Sequence, residues 1–215
     1  MIIECKAIIF DLDGTLVDSI ECVEKTWNTW CKKYNISLDK FSPAMHGITS
    51  YQTIKTIAPD LDTDKVVVEF DEIELKQTEG LKLIPKADKI LNELPPEKWA
   101  IATSGSKKLA TTRLSYIGLP IPKIMITADD ITNSKPNPEP YLLAAKHLGI
   151  PADDCVVFED SLAGIESGKA AGAKVIGLTA LFKKDKLSKT DAVINDFSDI
   201  KIEIKDNKLK IHIND

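Results

Sequence analysis

The sequence predicts an α/β protein: a parallel sheet wrapped by helices on both sides, with a small helical domain inserted early in the chain. Three observations carry that expectation. Short apolar runs recur along the chain, as strands buried on both faces require. Helical stretches lie between those runs, the alternation that builds parallel sheets. One stretch, from about Asp18 to Glu79, breaks the rhythm and reads as helix throughout.

In chain order, residues 6–12 (Lys-Ala-Ile-Ile-Phe-Asp-Leu) form the first expected strand, which stops at Gly14. Asp18-x-x-Glu21 and Thr49-x-x-Gln52 have the form of capping boxes that open helices. Val66, Phe70 and Ile73 recur at helical spacing. Residues 16–19 and 78–85 are the expected hinges of this insert. The predicted domains are therefore an α/β core of residues 1–16 and 82–215 and a helical cap of residues 17–81. Further strands are expected at 99–103, 123–127, 155–159 and 174–178, and helices at 107–117, 138–148 and 161–171, a Rossmann-like arrangement. The tail, residues 200–213, alternates with period two around Asp206-Asn207 and reads as a hairpin.

Composition bounds the function. The chain has 215 residues, 43% hydrophobic and 28% charged, as an ordinary globular protein has. No window approaches the roughly 20 apolar residues of a membrane span. The first residues, Met1-Ile2-Ile3-Glu4-Cys5, lack the features of a secretion signal. A cytoplasmic address is expected, and nothing calls for an obligate partner, so a monomer is expected. Cys5, Cys22, Cys31 and Cys155 are scattered without a CxxC pair and read as buried thiols. A net charge of −5 without a long Lys/Arg run argues against nucleic acid. An acidic protein that handles an anionic substrate must concentrate positive charge locally, which is a reason to look for a metal.

Four groups of residues carry chemistry. In Asp11-Leu12-Asp13-Gly14-Thr15, the two carboxylates are two apart at a strand end, so they project to one side. The crevice beyond the strand ends of an open parallel sheet is where ligands bind. Thr103-Ser104-Gly105 follows a second strand and offers a hydroxyl and backbone N–H groups to an anion. Lys135 lies between Ser134 and Pro136-Asn137-Pro138, where prolines fix the backbone and can aim a long cation. Glu159-Asp160 leaves a third strand and presents hard oxygen ligands suited to magnesium. Each group alone has an ordinary reading: a solvated Asp pair, an N-cap, a solvated lysine, and Asp160 as helix N-cap.

Acidic pair, hydroxyl, lysine and acidic pair, in that order and each at a strand end or following loop, resemble the four motifs of the haloacid dehalogenase superfamily. The resemblance runs from about Lys6 to Leu178. It implies that Asp11 is the nucleophile and forms an aspartyl-phosphate. It implies that Asp13 is the general acid and base. Mg²⁺ would be held by the Asp11 carboxylate, the Asp13 backbone carbonyl and Asp160, with Glu159 binding directly or through water. Thr103 and the Ser104-Gly105 backbone would hold phosphoryl oxygens, and Lys135 would neutralise both phosphate and Asp11. At 4 Å and an effective dielectric of 20, carboxylate and phosphate repel by roughly 4 kcal/mol per unit pair, so such cations are needed.

The insert is similar to the small helical caps of this superfamily, which close over substrate. Val23 to Trp30, His46-Gly47 and residues 99–106 resemble small-sugar phosphatases of the 2-deoxyglucose-6-phosphatase and glycerol-3-phosphatase kind. The resemblance implies a small phosphorylated metabolite as substrate, with His46 and Gly47 facing it. Trp27 and Trp30, three apart on one helix, read first as core packing. Ser134 stands where many relatives have Gly before the lysine, and Lys86 where many have Gly after Pro85. A phosphosugar mutase of the β-phosphoglucomutase kind shares the first aspartate pair and the cap type, and is the enzymatic alternative. A non-catalytic phosphoester-binding protein is the alternative of another class.

Overall fold

The computed structural model describes residues 1–37, 39, 45–206 and 208–214. The first strand, β1 (Ile2–Cys5), is separated by Lys6 from β2 (Ala7–Phe10). The run expected as one strand over 6–12 is therefore shorter, and Ile2 to Cys5 belong to a different sheet. Asp11 follows the last residue of β2, and the chain turns at once, with Leu16 and Val17 both donating to the Leu12 carbonyl. A two-residue strand, β3 (Val17–Asp18), then leads into α1 (Ile20–Lys33).

The insert continues with α2 (Ser50–Ile57) and α3 (Thr63–Glu74). These helices share a core in which Trp27, Trp30 and Phe70 are buried, the Trp27 and Phe70 rings 4.3 Å apart. Packing is thus the work of both tryptophans. Thr49 caps α2 by accepting from the Gln52 N–H at 3.4 Å. The other expected capping box does not form: Asp18 lies in β3, and Ser19 occupies the cap position without a side-chain bond to the helix. Strand β4 (Lys82–Leu83) pairs antiparallel with β3, Val17 opposite Leu83 and Asp18 opposite Lys82. Entry to and exit from the insert therefore run side by side.

The remaining elements build the sheet: α4 (Ala87–Glu93), β5 (Trp99–Ala102), α5 (Lys107–Ile117), β6 (Met125–Ile126), α6 (Glu139–Leu148), β7 (Cys155–Glu159), α7 (Leu162–Ala170), β8 (Lys174–Leu178) and β9 (Ala192–Ile194). The six strands are parallel in the order β6-β5-β2-β7-β8-β9. Helix α4 and strand β9 are additions to the sequence expectation. The expected hairpin forms as β10 (Ile200–Lys205) and β11 (Lys208–Ile213), with Asn207 of its turn outside the described residues. Strand β11 also pairs with β1, making a separate three-stranded sheet.

Alternation along β2 shows why helices cover both faces. Ile8 and Phe10 join a core with Ile90 and Leu91 of α4, Leu114 of α5, and Leu209 and Ile211 of β11. Ala7 and Ile9 face the other way, onto Tyr141 and Ala144 of α6 and Ile165 of α7. The chain places β5 and β6 on one side of β2, then returns to place β7 on the other. That reversal opens a crevice at the carboxyl ends of β5, β2 and β7.

Candidate active site

Three neighbouring strands deliver the four motif groups to this crevice. Phe10 is in register with Ile101 of β5 and Phe158 of β7, so Asp11, Thr103 and Glu159-Asp160 emerge side by side. Gly14 turns the chain after the acidic pair with a φ of +83°, and a Cβ there would collide with the Asp160 carboxylate. Only glycine meets both demands.

The ordinary readings of the motif residues fail for a local reason. Helix α5 is capped by Ser106, whose Oγ accepts from the Leu109 N–H at 3.3 Å, which leaves Thr103 and Ser104 free of that duty. Helix α7 is capped by Ser161, whose Oγ accepts from the Gly164 N–H at 3.0 Å, so Asp160 is not the cap. Lys135 is fully buried. Its Nζ lies 2.5 Å from Asp11 Oδ1 and 2.7 Å from Glu159 Oε1.

Glu159 organises the floor of the site. Its Oε1 accepts from Lys135 and from the Tyr141 hydroxyl at 2.8 Å. Its Oε2 accepts from the Asp160 N–H, the Ser161 N–H and the Ser161 hydroxyl at 2.8–2.9 Å. Five donors saturate this carboxylate, which removes most of the desolvation penalty of burying it. Oxygens of Asp11, Glu159 and Asp160 lie within 4.8 Å of one another. Three carboxylates and one ammonium leave two negative charges in a buried place, a deficit that one divalent cation cancels. Burial pushes the Asp11 carboxyl up to about 8, against the pull of Lys135 and with the repulsion of Glu159. Burial, then Glu159 and Asp11, push Asp160 well above the carboxylate range. Burial works against the Lys135 ammonium, yet Asp11 and Glu159 hold it above the ordinary lysine value. Hard oxygens with unmet charge are what Mg²⁺ binds.

A cavity of about 790 Å³ lies above this floor, between the strand ends and helices α1 to α3. Asp11, Asp13, Thr103, Asp160, His46 and Gly47 line it, together with apolar side chains such as Val23 and Trp27. Gly47, at a φ of +81°, lies against Ser161, and its carbonyl accepts from Ser104 Oγ at 2.6 Å. The Thr103 hydroxyl accepts from the Gly105 N–H at 3.1 Å. Burial lowers the His46 pKa, with Glu24 opposing, which favours the neutral imidazole. A second link across the cavity mouth joins Ser134 Oγ to Gln52 Oε1 at 2.5 Å.

The structure also brings in residues that motif reading passes over. Asp13 accepts on Oδ1 from Ser19 Oγ at 2.7 Å and from Arg113 Nη1 at 2.6 Å. Arg113, on α5, also reaches Glu74 on α3, Nη2 to Oε1 at 3.0 Å. A signal was available: Arg113 shares a helix face with apolar Leu109 and Ala110, where a charge needs a partner.

The haloacid dehalogenase-like hydrolase family matches residues 8–178, which is most of the chain, and the chain belongs to that family. Hexitol phosphatase A of Escherichia coli (strain K12) is 36% identical over 203 residues, covering 92% of this chain and 94% of that protein. Glycerol-1-phosphate phosphohydrolase 2 of Saccharomyces cerevisiae is 35% identical over 214 residues, covering 93% and 86%. A crystal structure of a hydrolase from Pseudomonas syringae superposes with a TM-score of 0.78 at 27% identity, covering 88% of this chain and 92% of that one.

Proposed function

We propose that this chain, a phosphatase, hydrolyses small phosphomonoesters, sugar phosphates in particular, with Mg²⁺ and through a phosphorylated Asp11. The carrying observation is the buried pairing of Lys135 with Asp11 at the foot of the cavity that Asp11 lines. The phosphatases of E. coli and yeast support the substrate class, because both act on phosphorylated polyols.

In this reading Asp11 attacks phosphorus and the P–O bond to the alcohol breaks. Asp13 gives its proton to the departing oxygen. Asp13, now a carboxylate, takes a proton from water, whose oxygen attacks the phosphorus and returns Asp11 to its carboxylate form. Thr103 and the Ser104-Gly105 backbone hold the phosphoryl oxygens, and Lys135 offsets their charge. Asp11, Asp160 and the Asp13 carbonyl would hold Mg²⁺, which when bound supplies charge neutralisation at the phosphoryl group. Glu159, with five donors already on it, would bind that ion through water rather than directly. Residues 17–81 act as the cap, with His46 and Gly47 toward the substrate.

The test is phosphate release from a panel of sugar, polyol and glycerol phosphates, with and without Mg²⁺, comparing the native protein with Asp11→Asn. Release that needs both metal and Asp11 is expected. Absence of release, with turnover only when a sugar bisphosphate is supplied, would replace hydrolysis by mutase chemistry.

A further inference from the structure

We propose that Arg113 is the positioning residue for Asp13, and that Glu74 of the helical insert anchors it in that task. The inference rests on the acid-base role given to Asp13 above. Arg113 is the only arginine in the chain; every other cationic position that the sequence fills with a long side chain carries lysine. A guanidinium differs from an ammonium in being planar, with donors held in a fixed fork. Arg113 uses that fork: Nη1 meets Asp13 Oδ1 at 2.6 Å and Nη2 meets Glu74 Oε1 at 3.0 Å. The side chain is 2% exposed, and that of Glu74 11%, so the bridge is shielded from water and salt.

The three residues come from three places. Asp13 lies on the loop after β2, Arg113 on α5 of the sheet layer, and Glu74 on the last turn of α3 in the insert. Both donors to Asp13, Arg113 and Ser19, meet the same oxygen, Oδ1. Oδ2 is then the oxygen that carries the proton, and its direction is set by the two bonds on its partner. Asp13 itself keeps 24% of its side chain exposed on the cavity, where a leaving oxygen would sit. Rotation of Asp13 away from that line breaks both bonds to Oδ1. Loss of Glu74 would free one arm of the fork and loosen the aim.

The experiment compares two esters whose need for a general acid differs. An alkyl phosphomonoester has a poor leaving group and needs the proton from Asp13. p-Nitrophenyl phosphate has a good one, and its first-turnover burst of nitrophenolate reports attack by Asp11 with little call on the acid. Rates are measured with Mg²⁺ for the native protein, Arg113→Met, Arg113→Lys, Glu74→Gln and Asp13→Asn, each checked for folding by thermal melting. The expected result for Arg113→Met is a fall in the alkyl-to-aryl rate ratio on the order of 100-fold. Arg113→Lys is expected to recover part of the ratio, and Glu74→Gln to lower it about tenfold. Should Arg113→Met fail to fold, Arg113→Lys and Glu74→Gln carry the comparison. Equal losses on both esters, or an unchanged ratio in all of these variants, would overturn the proposal. A ratio unchanged in Asp13→Asn would instead remove the acid role of Asp13, which is a separate failure.

Discussion

Lys135 and Tyr141 converge on one oxygen: Glu159 Oε1 lies 2.7 Å from the lysine Nζ and 2.8 Å from the tyrosine hydroxyl. The ammonium also sits 4.9 Å from the centre of the Tyr141 ring. A buried cation thus has a carboxylate on each side and an aromatic face beside it, so its position is over-determined. Burial and the nearby Glu159 and Asp11 charges hold the tyrosine pKa well above 10, so the hydroxyl remains a donor.

Tyr141→Phe removes one of the five donors to Glu159 and keeps the ring. The expected outcome is a loss of about 2 kcal/mol in unfolding free energy, read by urea denaturation, because a buried charge loses a hydrogen bond. Lys135→Met leaves three carboxylates without a resident counter-charge. Phosphate release is expected to fall on the order of 1000-fold, measured under saturating Mg²⁺.

Metal binding has its own readout. Titration of the native protein with Mg²⁺ is expected to raise the melting temperature, by about 2.7 kcal/mol of added stability at a hundred times the dissociation constant. Asp160→Asn is expected to abolish that shift. A shift that survives Asp160→Asn would move the ion away from Asp11 and Asp160.

Glu74 makes a prediction about pH. Burial pushes its carboxyl up to about 7, against the pull of Arg113 and with the repulsion of Asp13. Between the ordinary value of 4.5 and about 7, the folded protein holds a proton that the unfolded chain gives up. Its stabilising contribution is therefore complete below pH 4.5 and is lost as pH rises through 7. The unfolding free energy of the native protein minus that of Glu74→Gln is expected to fall across this window. A flat difference would show that Glu74 is ionised throughout.

Lys86 occupies the left-handed region, with a φ of 67°, at the residue before α4. The family resemblance leads one to expect glycine after Pro85, and a positive φ is what glycine adopts without strain. Lys86→Gly is expected to raise unfolding free energy by about 1 kcal/mol, since a Cβ is disfavoured there. Equilibrium denaturation checks it.

The core motifs were legible because each follows an apolar strand, and strand ends in a parallel sheet share a crevice. Their order, set against the four motifs of the family, was what joined Asp11, Lys135 and Asp160 into one expected site. Arg113 and Glu74 could not be joined in this way, because they are 39 residues apart on helices of different units. Periodicity tells which face of a helix is buried, but not what lies opposite. The split between β1 and β2 was also hidden: Lys6 alone separates them, and an apolar run of this length does not show where a chain leaves one sheet for another. Strand β9 has only three residues, too few for alternation to register.

The short ladder of β3 and β4 has one more consequence. Because Val17 lies opposite Leu83, the sheet layer sees the intervening residues as a single hairpin, however large that excursion is. A different excursion spliced between those two positions would meet the same ladder, but it would have to replace the contacts that Ser19, Gly47 and Glu74 make with Asp13, Ser104 and Arg113. The insert is thus joined to the sheet layer covalently at one narrow seam and non-covalently at these three points around the carboxylates, so a graft succeeds only if it brings both.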